Sequence, residues 1–194
     1  MFIKFGSEEN ILDLYENGTI YMNSREFFRR IEDKELRGDS YEGVQEIRNY
    51  GAGSFLIPSL NHTVNYQNIH LPIPFGEVWG NIYSVYCISQ ETTPEMFDFR
   101  MDQRNLNFGS HCLIIKDPNI FIQAMTDKFK FLNYKFHLDF VQYFDKNSFN
   151  GKLSVFDKPN EFNYQKEFRF YVERIGIEPL KFQLGNLKSY CEIY

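Results

Sequence analysis

The sequence predicts an α+β fold: a β-rich core of short, mostly antiparallel strands with a few peripheral helices. Three observations carry this. Hydrophobic residues make up 43% of the 194 positions and aromatics 18%, with 21 Phe and 13 Tyr against one Trp. Aromatic side chains bury large areas and favour pleated surfaces, although Phe, Tyr, Asn, Lys and Ile also share AT-rich codons. Short runs of β-branched and aromatic residues recur between turn residues, and only a few segments have helical spacing. A chain of this length fits one domain, residues 1–194.

Residues 2–5 (FIKF) read as a strand ended by Gly6. Ser7 is a helix N-cap, Glu8 and Glu9 suit the first turn, and Asn17-Gly18 stops the helix. A strand follows at 19–23 (TIYMN), and Ser24 caps a second short helix, SREFFRRIED. Residues 33–50 are densely charged and read as a surface loop. Short strands are expected in SFLIP and TVNYQNIHLPIPF, where Pro58, Pro72 and Pro74 confine them to edges or extended loop. Residues 79–89 (WGNIYSVYCIS) give the clearest strand signal. A short helix and a loop are expected over 95–107, then a strand over 109–116. Asp117-Pro118 opens a helix through NIFIQAMTDKF, and 131–145 alternates as one or two strands. Residues 164–173 (YQKEFRFYVE) have period two, and the tail holds one last strand.

Composition excludes several classes. A net charge of −5 argues against broad capture of a nucleic-acid backbone. Cys87, Cys112 and Cys191 form no CxxC pair, and an odd count suits a reducing cytosol. Cys87 and Cys112 lie in apolar runs, as small buried hydrophobes do. The N-terminus turns acidic too early for a secretory signal, and no apolar run nears the ~20 residues that span a bilayer. A cytoplasmic protein without a membrane partner is expected.

The chemistry-bearing residues concentrate near the C-terminus. On a strand, Gln165, Glu167, Arg169 and Tyr171 share one face, while Tyr164, Lys166, Phe168 and Phe170 share the other. The plain alternative is an exposed strand carrying a Glu–Arg pair. The acidic loop (Glu32, Asp33, Glu35, Asp39 and Glu42, with Arg37) offers oxygen ligands for Mg²⁺ or Ca²⁺, but lacks any metal-binding spacing. An ordinary solvated loop is the plainer reading. Arg29, Arg30 or Arg37 of the same region could instead reach the Glu167 strand and hold a phosphate. His62, His70, His111 and His137 are isolated, and no zinc motif, Walker loop or nucleophile elbow is present. Gly51-Ala52-Gly53-Ser54 reads as a plain turn.

The Gln165-x-Glu167 pair resembles the glutamate motif of ADP-ribosyltransferases. The resemblance implies split sheets, NAD as cofactor and Glu167 as the catalytic carboxylate, with Gln165 positioning the acceptor. Tyr21 to Ser24 (YMNS) stands where that family's nicotinamide-pocket motif falls, so Tyr21 and Ser24 are implied cofactor contacts; Arg37, from the loop reading, and Arg169, from the strand face, are further candidates to bind the cofactor. The first motif departs: FIKFG offers Lys4 where the family has Arg or His. A second resemblance, over roughly residues 1–50 and 80–172, is to a family of bacterial and phage proteins ending in K…F/W-x-Y-E/Q-K-E-F/W-R. Lys158, Tyr164, Glu167 and Arg169 match that terminal motif, and Phe162 and Phe168 replace its tryptophans.

Together these imply a mono-ADP-ribosyltransferase-like enzyme using NAD⁺, a toxin or phage–host conflict factor acting on a protein or nucleic-acid acceptor. The competing expectation is a non-catalytic protein that binds a host or phage protein, or a small nucleotide. A third, metal-dependent nuclease activity, rests on the acidic loop alone.

Overall fold

In the computed structural model, residues 1–31, 39–74, 79–88 and 101–194 are described. The strands are Phe2–Gly6 (β1), Thr19–Ser24 (β2), Val44–Tyr50 (β3), Gly53–Ile57 (β4), His62–Tyr66 (β5), Ile69–Pro74 (β6), Asn81–Cys87 (β7) and His111–Ile115 (β8). They continue with Lys135–Phe140 (β9), Gln142–Phe144 (β10), Gly151–Lys152 (β11), Asp157–Pro159 (β12), Glu167–Glu173 (β13), Leu180–Gln183 (β14) and Cys191–Ile193 (β15). The α-helices are Glu8–Asn17 (α1), Arg25–Arg30 (α2) and Pro118–Phe131 (α3), and 3-10 turns occupy Pro58–Leu60, Gln103–Phe108 and Asn160–Gln165. The architecture is α+β with a β-rich core. Its strands pair antiparallel, apart from the parallel β10–β12 pair among the described residues.

Local chemistry sets the helices as expected. The Ser7 and Ser24 hydroxyls accept from the Asn10 and Phe27 amides, and Asp117 caps α3. Gly18 closes α1 in the left-handed region at φ 62°, against the backbone of Gly185, where a Cβ would lie 2.0 Å from the Gly185 carbonyl oxygen.

The main sheet runs β14-β2-β7-β1-β8-β15, with β13 on the other edge of β7 and β9 beyond it. Its apolar face carries Phe2, Ile20, Met22, Tyr83, Val85, Phe168, Phe170 and Val172, packed under Phe121, Met125 and Phe129 of α3 and Ile11 and Leu14 of α1. A smaller cluster of Val44, Ile47, Phe144 and Leu153 underlies the β11-β3-β6 sheet.

The main sheet forks at β7. β13 occupies one edge from Asn81 to Tyr86, so β1 and β2 share the other. β2 pairs there with Asn81 and Ile82, and β1 with Tyr86 and Cys87. Between them, Tyr83, Ser84 and Val85 face neither strand. The Lys4 ammonium bridges the gap, donating to the Ser84 carbonyl at 2.8 Å. One limb is β2–β14, the other β1–β8–β15, and α1 joins them across the fork.

Several expectations need correction. Residues 44–50 form a strand of the small sheet, and Asp39 and Glu42 before it are buried, so the segment's described part is no solvated loop. Its charges misled because the ion partners of Glu42, Arg25 of α2 and Arg169 of β13, lie elsewhere in the chain. The strand expected over 164–173 begins only at Glu167; residues 160–165 coil into a 3-10 turn, and Lys166 ends it at φ 42°. The turn buries Phe162 and Gln165, three residues apart, with Tyr164 between them, a spacing that alternation does not reveal. Residues 95–100 lie outside the described residues, and the turn over Gln103–Phe108 stands later than the helix expected there. The tail has two strands, because Leu180–Gln183 and Cys191–Ile193 close different limbs. Cys87 and Cys112 are only partly buried; Cys191 is the buried one. No described helix is long and apolar enough to cross a membrane.

Candidate functional site

A cavity of about 800 Å³ occupies the fork. β1 lines it from Ile3 to Gly6, β2 with Thr19, Tyr21 and Asn23, and β7 from Ile82 to Tyr86. The turn at Gln103–Phe108 closes one side, held by Asn105, which donates to the Tyr164 carbonyl at 3.0 Å. Beyond it the chain passes so near β1 that a Cβ on Gly109 would sit 2.1 Å from the Gly6 carbonyl oxygen.

The polar wall comes from four parts of the chain. β13 supplies Glu167 and Arg169, β12 supplies Lys158, the 3-10 turn supplies Gln165, and the segment before β3 supplies Asp39 and Glu42. Glu167 is 8% exposed, Asp39 2% and the other four 4%. Buried charges persist only when paired, and here pairing is dense. Lys158 donates to Glu167 Oε1 at 2.6 Å and to Gln165 Oε1 at 2.5 Å. Arg169 holds Glu167 Oε2 at 2.9 Å and Glu42 Oε2 at 3.2 Å, and also donates to the Val155 carbonyl. Arg25 closes the chain on Glu42 Oε1 at 2.6 Å. Behind Glu167, the Tyr143 hydroxyl accepts from its backbone amide at 3.0 Å.

The electrostatics follow. Burial alone would raise Glu167, but the charges and hydrogen bonds of Arg169 and Lys158 outweigh it and hold the carboxyl well below its usual range. Burial opposes the Arg169 charge, yet Glu167 and Glu42 keep the guanidinium firmly protonated. Asp39 behaves oppositely. Burial pushes it up to about 6, with Glu42 adding to the rise and Lys158 and Arg169 opposing it. Its Oδ1 accepts from the Tyr41 amide at 2.8 Å, while Oδ2 is buried without a partner. The Tyr83 hydroxyl, on another wall of the cavity, is a second buried polar atom without a partner.

The fold gathers most of the residues singled out in the sequence. Glu167, Gln165, Arg169, Lys4 and Tyr21 all line the cavity. Lys4 reaches it from β1 and lies 4.3 Å over the Tyr83 ring. Ser24 does not line it: its buried hydroxyl caps α2, facing a separate hollow with Glu26 and Ile177. Arg37 lies outside the described residues, as do Glu32, Asp33 and Glu35. Arg29 and Arg30 both bond Glu26, not the Glu167 strand. Sequence reasoning gave Lys158 a place in a motif but no role, and left Asp39 and Glu42 in a solvated loop. The one available signal was three charged residues of the motif at two-residue or near-ten-residue spacing. No group of three or more metal-ligating side chains occurs among the described residues. Compared with known protein families, curated proteins and solved structures, the chain matches none.

Proposed function

We propose that the protein is a mono-ADP-ribosyltransferase-like enzyme that takes NAD⁺ into the cavity at the sheet fork. One observation carries this reading: Glu167 and Gln165 stand together on the wall of a cavity of about 800 Å³, within the size range of small-molecule and cofactor sites. In this reading the ionised Glu167 accepts a hydrogen bond from a ribose hydroxyl. It also offsets the positive charge that develops on the sugar as nicotinamide leaves. Gln165 orients the acceptor, Tyr21 lines the ring pocket, and Lys4 and Arg169 face the ribose and phosphates. An entering diphosphate draws Lys158 away from Glu167, freeing a carboxylate lone pair for the substrate. The acceptor would be a host or phage macromolecule, as the family resemblance implies.

Labelled NAD⁺ incubated with host lysate tests it. Wild type should transfer label, and Glu167→Gln should lose at least about 100-fold, the scale of one lost transition-state contact. Melting curves of both proteins separate this loss from unfolding. Equal, negligible transfer together with no NAD⁺ binding by wild type overturns the reading.

A second reading is favoured by the pairing itself, since both Glu167 oxygens are already held by buried cations. Under it the cluster is structural, and the cavity binds a nucleotide without turnover. NAD⁺ binding without nicotinamide release selects it.

A further inference from the structure

We propose that Asp39 is a ligand-anchoring residue that receives a sugar hydroxyl of the molecule occupying the cavity. The inference deepens the nucleotide reading by naming the recognised group, and rests on it in so far as the ligand carries a ribose. Asp39 is 2% exposed, lines the cavity, and has a carboxylate oxygen with no hydrogen-bond partner. Buried polar atoms are satisfied in nearly all native structures, and this oxygen, sealed within a residue of the cavity wall, gains a partner from a ligand that displaces its immediate cover.

The surroundings define that partner. The charged groups facing Asp39 are Lys158 of β12, Arg169 of β13 and its chain neighbour Glu42. Those three, with Asp39, Glu167 and Arg25, make three cations and three carboxylates, so the cluster is balanced when Asp39 is ionised. A ligand ammonium or guanidinium would leave a buried excess positive charge, and a phosphate on Asp39 would repel it. An uncharged donor keeps the balance. Among uncharged donors, a hydroxyl uses one atom both to donate to Oδ2 and to accept from a neighbouring Lys158 or Arg169 N–H, whereas a carboxamide needs its NH₂ and its C=O, set apart, for the two tasks. The chemistry favours a compact hydroxyl, which in the nucleotide reading is a ribose hydroxyl. The ionised carboxylate is the stronger acceptor, so binding should weaken as Asp39 takes up its proton.

The test measures dissociation constants of NAD⁺, adenosine and ribose 5-phosphate at pH 7.5 and pH 5, for wild type, Asp39→Asn and Gln165→Ala. With a carboxyl near 6, wild type should bind at least one of them about tenfold more weakly at pH 5. Asp39→Asn, which keeps an acceptor for the Tyr41 amide, should bind about tenfold or more weakly at pH 7.5 and lose the pH dependence. Gln165→Ala should keep it. If Asp39→Asn matches wild type in affinity and pH profile, the assignment is wrong, whatever becomes of NAD⁺ turnover. Adenosine binding that depends on Asp39, without NAD⁺ binding, upholds the anchor and rejects the transferase reading. Binding of none of the three probes by wild type overturns both.

Discussion

On one face of β13, Phe168, Phe170 and Val172 are buried among the aromatic and aliphatic side chains under α3. On the other, two residues equally withdrawn from water, Glu167 and Arg169, are held by ion pairs to Lys158 and Glu42. The apolar face gains from area removed from water and is tolerant of direction. The polar face has no such margin. Each charge there is stable only while its partners stay in place, and removing one leaves another stranded. A sheet that needed only stability would have sealed both faces with apolar residues. This one keeps a costly face beside a cavity, which the proposed function explains by a polar ligand that uses it.

The largest effects test that asymmetry directly. Phe170→Ala and Arg169→Ala should each destabilise the fold by about 3–5 kcal/mol, the first through a cavity, the second by removing the cation shared by Glu167 and Glu42, which leaves one buried oxygen of each without its partner. Their behaviour in combination should differ. In a Glu167→Gln background, Phe170→Ala should cost what it costs alone, whereas Arg169→Ala should cost less by about 0.5–3 kcal/mol. Urea unfolding of the two double-mutant cycles reads this. Equal additivity in the two cycles would mean that the polar network is not a unit.

The next effect separates the two carboxylates within the polar face. Asp39 is raised from 3.8 to about 6. Between those values the native protein holds a proton that the unfolded chain has released, so stability falls as pH rises through that window. A shift of this size corresponds to ~3 kcal/mol, fully lost above about pH 6. Asp39→Asn removes the loss, so it should melt higher than wild type at pH 7.5, with the gap closing toward pH 4. Glu167 runs the other way. Its native value lies below the ordinary 4.5, so its contribution is present above that pH and is lost as the medium becomes more acidic. A melting gap between Asp39→Asn and wild type that does not widen from pH 4 to pH 7 would contradict the Asp39 assignment, because the difference cancels the opposite trend of Glu167. A stabilised Asp39→Asn that binds ligand poorly is the outcome expected of a residue kept for function.

How far the sequence reached differs between these faces for a physical reason. The apolar face is written in local periodicity: the alternation Phe168, Phe170, Val172 and the helical spacing of Phe121 and Met125 are visible without coordinates, although Ile120, of the same expected stripe, is exposed. The caps at Ser7, Ser24 and Asp117 are equally local. The polar face is assembled from residues 127 positions apart, as in the Arg169–Glu42 bond, and no local pattern records such a pairing. Glu167 and Arg169 stood out because they share a strand. Lys158 was visible only through a motif, and Asp39 and Glu42 looked like solvent-facing charges because their cations lie elsewhere in the chain. The fork was hidden too, since it depends on where β1 and β2 stop pairing with β7.

The smallest effect sharpens the boundary of the site. Ser24 belongs by resemblance to a cofactor pocket, yet its hydroxyl accepts the Phe27 amide at 3.2 Å, and it faces a hollow separate from the fork cavity. A cap hydroxyl is worth about 1 kcal/mol, within a range of about 0.5–2. Ser24→Ala should therefore lower the melting temperature modestly and leave NAD⁺ or adenosine affinity unchanged. Tyr21→Ala, altering a half-exposed side chain on the cavity wall, should do the reverse, weakening the ligand with little change in melting. Should Ser24→Ala weaken binding more than it destabilises the helix, the ligand reaches past β2 to α2, and the polar face of β13 is only part of the surface that recognises it.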